Sequence, residues 1–287
     1  MRILVFDVGG TYTKYALVED YKVSERSTIP TPREDFLKVL SSIVDEFDGL
    51  DGVAIGFPGI VSRNGVVIFA PHLPSMVGRN IREILGIPVR IDNDANLFAL
   101  GQYVFLRDEG VRNLVGITLG TGVGGGIIIE GKLYGGRGGA GEVGHIIIDM
   151  DGPRCDCGNY GCAEAFLGEA YFPLRCRTWF EREGRSPGDL NGRILLEMAE
   201  GGDPLAKECW SWYGKKLAVL IASLVNVFDP DAVALGGGLS GAFYHFRISM
   251  FNEIKHLLGS RAEGIRIEEG RNRDISSFIG GFELFKI

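Results

Sequence analysis

The sequence predicts an α/β protein built from two copies of one α/β unit, and two observations carry that prediction. The 43 glycines are clustered. They form "DVGGT" at 7–11, "GFPG" at 56–59, "GTGVGGG" at 120–126, "GGRGGAGEVG" at 135–144 and "LGGGLSG" at 235–241, and each cluster follows or closes a run rich in Val, Ile and Leu. Glycine just past a buried strand marks a tight turn where backbone must come close to something. The second observation is an echo between the halves. "LVFDVGGTYTKYALVE" and "VGITLGTGVGGGIIIEG" both read as strand, glycine turn, strand, while "DGVAIGFPG" from Asp51 and "DAVALGGGL" from Asp231 share an Asp, an apolar strand and a glycine-rich exit.

Taken in order, each copy opens with a hairpin and adds a further strand after a crossover helix. In the first copy that helix is "PREDFLKVLSSIVDEF", with Phe36, Leu37, Leu40, Ile43, Val44 and Phe47 at 3.6-residue spacing behind a proline and acidic first turn. In the second, "LAKECWSWYGKKLAVLIASLVNVFDP" becomes almost wholly apolar toward Pro230, as a helix buried between layers does. "DISSFIGGFELF" reads as a terminal helix returning to the first copy. The expected division is an N-terminal domain over 1–110, rejoined by 274–287, and a C-terminal domain over 111–273, with the crossing near Asp108 to Asn113.

Composition narrows the function classes. A chain of 287 residues, 45% hydrophobic and 23% charged, can bury a large core. A net charge of -7 and no long basic tract argue against nucleic acid as a partner. No stretch approaches the roughly 20 apolar residues of a membrane span, and the run Ile3 to Phe6 is too short for a secretion-signal core. The expectation is a soluble, cytoplasmic protein without a membrane partner.

The five cysteines do not suit a disulfide framework, being odd in number in a chain of cytosolic character. Cys176 and Cys209 stand in helix-like surroundings as core residues. The other three lie in "GEVGHIIIDMDGPRCDCGNYGCAEAF" at 141–166, where His145 is followed after nine residues by a CxCxxxxC run formed by Cys155, Cys157 and Cys162. Redox CxxC chemistry needs two residues between thiols, which no pair here has. Four soft ligands are the closed set that structural zinc favours, and such a site has no open position for chemistry. The alternative is a loop of reduced cysteines.

The combination of "GEVGH", "CDCGNYGCAE", "DVGGT", "DNDAN" and "GTGVGGG" resembles the ROK family of sugar kinases, within the actin-like ATPase and hexokinase superfamily. The likeness runs through essentially the whole chain. It implies two ribonuclease-H-like α/β domains with an interdomain cleft and a zinc-bound loop. It also implies ATP-dependent phosphorylation of a hexose 6-hydroxyl, with glucose the first expectation. Alternatives are a kinase for N-acetylglucosamine, N-acetylmannosamine or fructose, and more remotely a sugar sensor or sugar-responsive transcriptional regulator. A regulator carries a DNA-reading helix-turn-helix, and with the phosphate hairpin beginning at Ile3 the expectation is that this chain has none.

By that resemblance Asp94 is the catalytic base, and a carboxylate of ordinary acidity is ionised at pH 7 and ready to take the hydroxyl proton. "DNDAN" is also a good helix N-cap by residue type. Gly59, Asn93, Asp94, Glu142, His145 and Glu164 are the expected sugar contacts, since carboxylates accept from sugar hydroxyls. His145 would place one ring nitrogen on zinc and the other toward substrate. ATP would meet Gly9, Gly10, Thr11 and Lys14 in one turn and Gly120, Thr121, Gly122 and Gly124 in the other, where backbone N–H groups can approach phosphate. Gly236, Gly237 and Gly238 would flank the adenosine, and Asp7 would hold Mg2+. Two positions depart from the pattern. Many relatives carry lysine directly after the "DxGGT" threonine, where this chain has Tyr12 and then Lys14, and a "PNLPGW" segment is here "PHLPSMV" with His72. The identity of the sugar therefore stays open. Homodimers are common among such relatives and a homodimer is an expectation of the resemblance alone.

Overall fold

The computed structural model describes residues 1–62, 64–83 and 85–286. The first set of elements is β1 (Arg2–Val8), β2 (Tyr12–Glu19), β3 (Lys22–Pro30), α1 (Phe36–Val44), β4 (Gly52–Phe57), a small hairpin of β5 (Ile60–Val61) and β6 (Val67–Phe69), β7 (Val89–Asn93) and α2 (Asp94–Leu106). There follow β8 (Leu114–Leu119), β9 (Val123–Ile129), β10 (Lys132–Leu133), α3 (Glu164–Leu167), α4 (Phe172–Arg182), α5 (Gly192–Glu200), α6 (Pro204–Phe228), β11 (Ala232–Gly236), α7 (Phe243–Leu258), β12 (Arg266–Glu269) and α8 (Ser276–Glu283).

The two five-stranded sheets have the same order, β3-β2-β1-β4-β7 and β10-β9-β8-β11-β12. In each, the third, second and first strands of the copy are followed by the fourth and fifth. The echoed segments thus fall at equivalent places, with β4 and β11 both fourth. In the first sheet β1 pairs antiparallel with β2 and parallel with β4, and β4 pairs parallel with β7. Ile3, Leu4, Val5 and Phe6 are all fully buried, as a strand covered on both faces requires.

By contacts the chain divides into two compact units, one of Met1–Gly116, Gly126–Gly141 and Arg271–Ile287, the other of Ile117–Gly125 and Glu142–Gly270. In the first, Leu4, Phe6 and Val8 of β1 pack with Phe36 and Leu40 of α1 and with Ile55 and Phe57 of β4. The C-terminal helix α8 lies against α2. A Cβ on Gly280 would fall 1.8 Å from the Leu97 carbonyl oxygen, so this crossing depends on glycine. Buried Gln102 fixes the segment leading into α8: its amide donates to the Arg271 carbonyl at 2.8 Å and accepts from Arg271 N at 2.7 Å.

In the second unit, Phe172, Trp210, Tyr213 and Phe246 form an aromatic core between α4, α6 and α7. Cys176 and Cys209 are buried in α4 and α6, and burial with the neighbouring Cys209 pushes the Cys176 thiol up. Among the described residues no helix is long and apolar enough to cross a membrane.

The long helix α6 is capped by Asp203, whose Oδ1 accepts from Ala206 N at 3.0 Å and which also pairs with Arg185. Arg185 holds the Asp203 carboxyl below its usual range. A depressed pKa in the folded state stabilises above the unfolded value near ~3.9 and is lost as pH falls through the folded one. Asp203→Ala is expected to cost about 1 kcal/mol through the lost cap. In thermal melts at pH 7 this lowers Tm by about 2–4 °C. The gap between variant and wild type should close in acid, and equal Tm at pH 7 would show that the cap contributes nothing.

Candidate active site and metal cluster

In the first unit the expected sugar-side residues collect where β4 and β7 end. Strand β7 runs through Asn93, and Asp94 is the first residue of α2. Asn93 is the N-cap. Its Oδ1 accepts from Ala95 N at 2.9 Å, and its Nδ2 donates to the Gly59 carbonyl at 3.1 Å. The capping reading of "DNDAN" is therefore realised by Asn93, and the same side chain ties Gly59 to the start of α2. Asp94 Oδ1 also accepts from Ala95 N at 2.9 Å, which holds the carboxylate at the helix start. Asp92, which sequence reasoning passed over, accepts from Asn96 Nδ2 at 2.6 Å and from Asn93 N at 2.8 Å. Burial raises its pKa, with Asn96, Asn93 and Arg82 opposing.

The β1–β2 turn holds the first glycine cluster. Gly9 N donates to the Tyr12 carbonyl at 2.9 Å, and Thr31 Oγ1 donates to the Gly9 carbonyl at 2.7 Å. Thr11 is exposed, and its carbonyl accepts from Thr31 N. Asp7 and Lys14 are directly opposed across the β1–β2 ladder. Burial raises the Asp7 pKa, and Lys14 and a hydrogen bond from Ser277 oppose it. Lys14 and Tyr12 are both exposed while Thr13 between them is buried, so the two share a face. His72 packs on this turn, its ring about where a Cβ on Gly10 would press at 3.0 Å, and Arg33 Nη2 donates to the Gly10 carbonyl at 3.4 Å. Neither contact was legible from local sequence, because each joins residues far apart in the chain.

In the second unit His145, Cys155, Cys157 and Cys162 come together, with their ligand atoms all within 4.8 Å of one another. Cys157 Sγ and Cys162 Sγ are 3.6 Å apart, and Cys155 Sγ and His145 Nδ1 3.8 Å. Tetrahedral bonds of about 2.3 Å to sulfur and about 2.0 Å to nitrogen give edges of roughly 3.5–3.8 Å. The four residues thus match zinc in donor type, and these two pairs match it in spacing, with the remaining pairs within 4.8 Å. The cysteines are free rather than bridged. Burial pushes the Cys155 thiol up to about 12, and a backbone hydrogen bond from Asn159 is the largest influence lowering that of Cys157. Tight turns shape the loop. Gly161 has φ +73°, and a Cβ there would meet the Asp149 carbonyl at 1.6 Å. Lys216 of α6 pairs with Asp149 at 3.0 Å and lies over the Phe166 ring.

The remaining ring nitrogen of His145, Nε2, faces Glu142 at 4.0 Å. Burial raises the Glu142 pKa, with His145 lowering it and Glu164 raising it further; the side chain is 40% exposed, so solvent screens part of that shift. Glu164 opens α3. Its Oε2 accepts from Val123 N at 2.9 Å, and its Oε1 lies 3.9 Å from Cys155 Sγ.

The turn at 120–124 and the exit of β11 are neighbours within this unit. Gly120 N donates to the Gly122 carbonyl at 2.9 Å, Thr121 is exposed, and Gly124 lies in β9. Gly236 ends β11, and Gly237, at φ +83°, packs on the Leu119 carbonyl. Gly238 borders a cavity of about 520 Å³ lined also by Glu169, Asn191, Leu196, Trp210 and Leu239. Trp210 Nε1 is buried and has no hydrogen-bond partner among the described residues. Sequence reasoning missed this cavity. Of its lining only Gly238 had been singled out, and Asn191, which caps α5 by accepting from Ile194 N at 2.9 Å, was a further local signal.

A profile of the ROK family matches residues 3–287. The chain is 34% identical over 265 residues to a glucokinase of Thermotoga maritima, covering 84% of this chain and 83% of that one. It is 33% identical to an N-acetyl-D-glucosamine kinase of Pectobacterium atrosepticum over 96% of both. The crystal structure of a ROK family glucokinase from Streptomyces griseus in complex with glucose and AMPPNP matches with a TM-score of 0.85 at 27% identity, covering 99% of each chain. A family profile spanning nearly the whole sequence, and relatives of this identity and coverage, leave one conclusion: the chain belongs to the ROK family.

Proposed function

We propose that this chain is an ATP-dependent hexose kinase that transfers the γ-phosphoryl group to the 6-hydroxyl of its sugar, with glucose the first candidate. The observation that carries the reading is the grouping of Glu142, His145 and Glu164 around the cysteine cluster, in a chain whose relatives include a glucokinase and an N-acetyl-D-glucosamine kinase. Carboxylates with unfilled acceptor positions suit a polyhydroxylated ligand.

In this reading Asp94 takes the proton of the attacking hydroxyl. Phosphoryl transfer asks mainly for positioning and charge neutralisation, so one well-placed base is enough covalent help. Asn93 and Gly59 contact the sugar and, through their mutual hydrogen bond, hold the start of α2 in place. Glu142, His145 and Glu164 accept from its other hydroxyls. The glycine turns at Gly9–Thr11 and Gly120–Gly124 present backbone N–H groups to phosphate, and Lys14 adds a charge beside the first. The cavity beside Gly238 receives the nucleoside, where the unpartnered Trp210 N–H is a donor in want of an acceptor. Mg2+ bound with the nucleotide would neutralise phosphate charge, and Asp7 is the carboxylate that would hold it. Zinc held by His145, Cys155, Cys157 and Cys162 would cross-link the loop and leave no open position for chemistry.

The test is ADP release with glucose, N-acetylglucosamine, N-acetylmannosamine and fructose. The expected result is the highest kcat/KM for glucose. A preference for N-acetylglucosamine would favour the second reading, which the Pectobacterium relative supports. No ADP release with any of these sugars would count against a hexose kinase.

A further inference from the structure

Glu164 does more than border the cysteine loop. Its Oε2 accepts from the backbone N–H of Val123, 41 residues earlier and at the end of the Gly120–Gly122 turn. A Cβ on Gly122 would lie 2.3 Å from that same oxygen, so the turn is pressed against the carboxylate. The contact continues along the chain after Glu164. Glu169 N donates to the Gly120 carbonyl at 2.9 Å, and Gly168 packs so closely on the Thr121 carbonyl that a Cβ would stand 3.0 Å from it. The other arm of the loop also closes on this segment, where a Cβ on Gly144 would meet the Val123 carbonyl at 2.2 Å. Gly144 precedes His145 and Glu164 follows Cys162 by two, so both arms that hold the turn belong to the His/Cys cluster.

A turn with this much glycine has little conformational preference of its own. Presenting donors to a phosphate in a fixed arrangement requires outside restraint, because ordering the turn on binding subtracts from affinity. The carboxylate of Glu164, bonded to a backbone N–H, is a charge-assisted restraint of that kind.

We infer that Glu164 is a positioning residue for the nucleotide-phosphate turn, an inference that rests on the nucleotide role proposed above for Gly120–Gly124. One oxygen orders the turn through Val123 and the other is left to the sugar. A sugar that orients this side chain therefore raises the affinity for nucleotide, and by linkage nucleotide raises the affinity for sugar by the same factor.

Calorimetric titration of MgADP into sugar-free protein separates this role from any direct contact with sugar. Glu164→Ala removes the acceptor and is expected to weaken MgADP by about tenfold or more. Glu164→Gln keeps an oxygen that can accept from Val123 N and is expected to stay within about threefold of wild type. Metal analysis of each variant accompanies the titration. Should Glu164→Ala fail to fold or to retain metal, Glu164→Asp keeps the charge but withdraws the acceptor by one methylene, and is expected to weaken MgADP in the same direction. Wild-type affinity in a folded Ala or Asp variant overturns the inference, as does a loss in Glu164→Gln equal to that in Glu164→Ala. A wild-type protein that binds no MgADP overturns instead the nucleotide reading on which the inference rests.

Discussion

Asp94→Asn is expected to lower kcat by about 10²- to 10⁴-fold, the range that a positioned general base contributes. The replacement is nearly isosteric and removes little else. An asparagine oxygen can still accept the 2.9 Å bond from Ala95 N that Asp94 Oδ1 accepts, and Asn93 Oδ1 caps the same helix independently. The start of α2 should therefore hold, with thermal stability changed by less than about 1 kcal/mol. Sugar affinity, read by calorimetry, should change far less than turnover, because the amide keeps an acceptor and gains a donor while only the proton-accepting charge is gone. A loss confined to kcat marks an interaction made in the transition state. Turnover at saturating ATP and sugar within tenfold of wild type would remove Asp94 as the base.

That experiment bears on a residue whose surroundings were only partly legible in sequence. "DNDAN" reads as a helix cap by residue type and as an active-site segment by resemblance, and the structure shows the first of these: Asn93 caps the helix and Asp94 stands as its first residue. The duplicated sheets were legible because the information is local and periodic. Strands such as Ile3 to Phe6 are continuous apolar runs, and their glycine exits repeat in both halves. The same holds for α1, with Phe36, Leu40, Ile43 and Val44 on its buried face, and for α6. By contrast β5, β6 and β10 are two or three residues long and form because neighbouring segments place them, which no window of sequence records.

Within the candidate site, spacing announced the His/Cys cluster because its four members are close along the chain, as the ligands of a structural zinc would be. The bond from Val123 to Glu164 and the packing of His72 on Gly10 obey no such spacing. They are products of tertiary structure, so Glu164 could be read as a sugar contact from its motif but not as a brace for a distant turn. The cavity beside Gly238 was hidden for the same reason, its walls coming from α5, α6 and the exit of β11.

Cys157→Ser carries the second large expected effect, and it falls on metal content, stability and sugar affinity together. As purified, the wild-type protein is expected to hold about one zinc per chain, the complement of a single four-ligand site. The loop from Ile146 to Ala163 has little apolar support of its own. The small cluster at its base comprises Cys155, Cys162 and Ala165 with Tyr171 packed against it, so two of its three buried members are themselves proposed ligands. Backbone bonds such as Cys155 N to the Asn159 carbonyl at 2.8 Å and Ile148 N to the Gly161 carbonyl at 2.9 Å set its turns, but turns of this kind do not by themselves resist opening. A metal cross-link supplies what a core would otherwise supply, and its binding free energy is folding free energy. Cys157 is the exposed cysteine of the set, so serine there disturbs no packing and the effect reports on the metal. Its loss is expected to lower Tm by about 10 °C, equivalent to several kcal/mol in a chain of this size. Sugar affinity should fall at least about tenfold, because His145 and Glu164 would lose the frame that orients them. If metal-free Cys157→Ser bound sugar as wild type does, the cluster would not shape the sugar contacts, and Glu142, His145 and Glu164 would have to be held by the protein backbone alone.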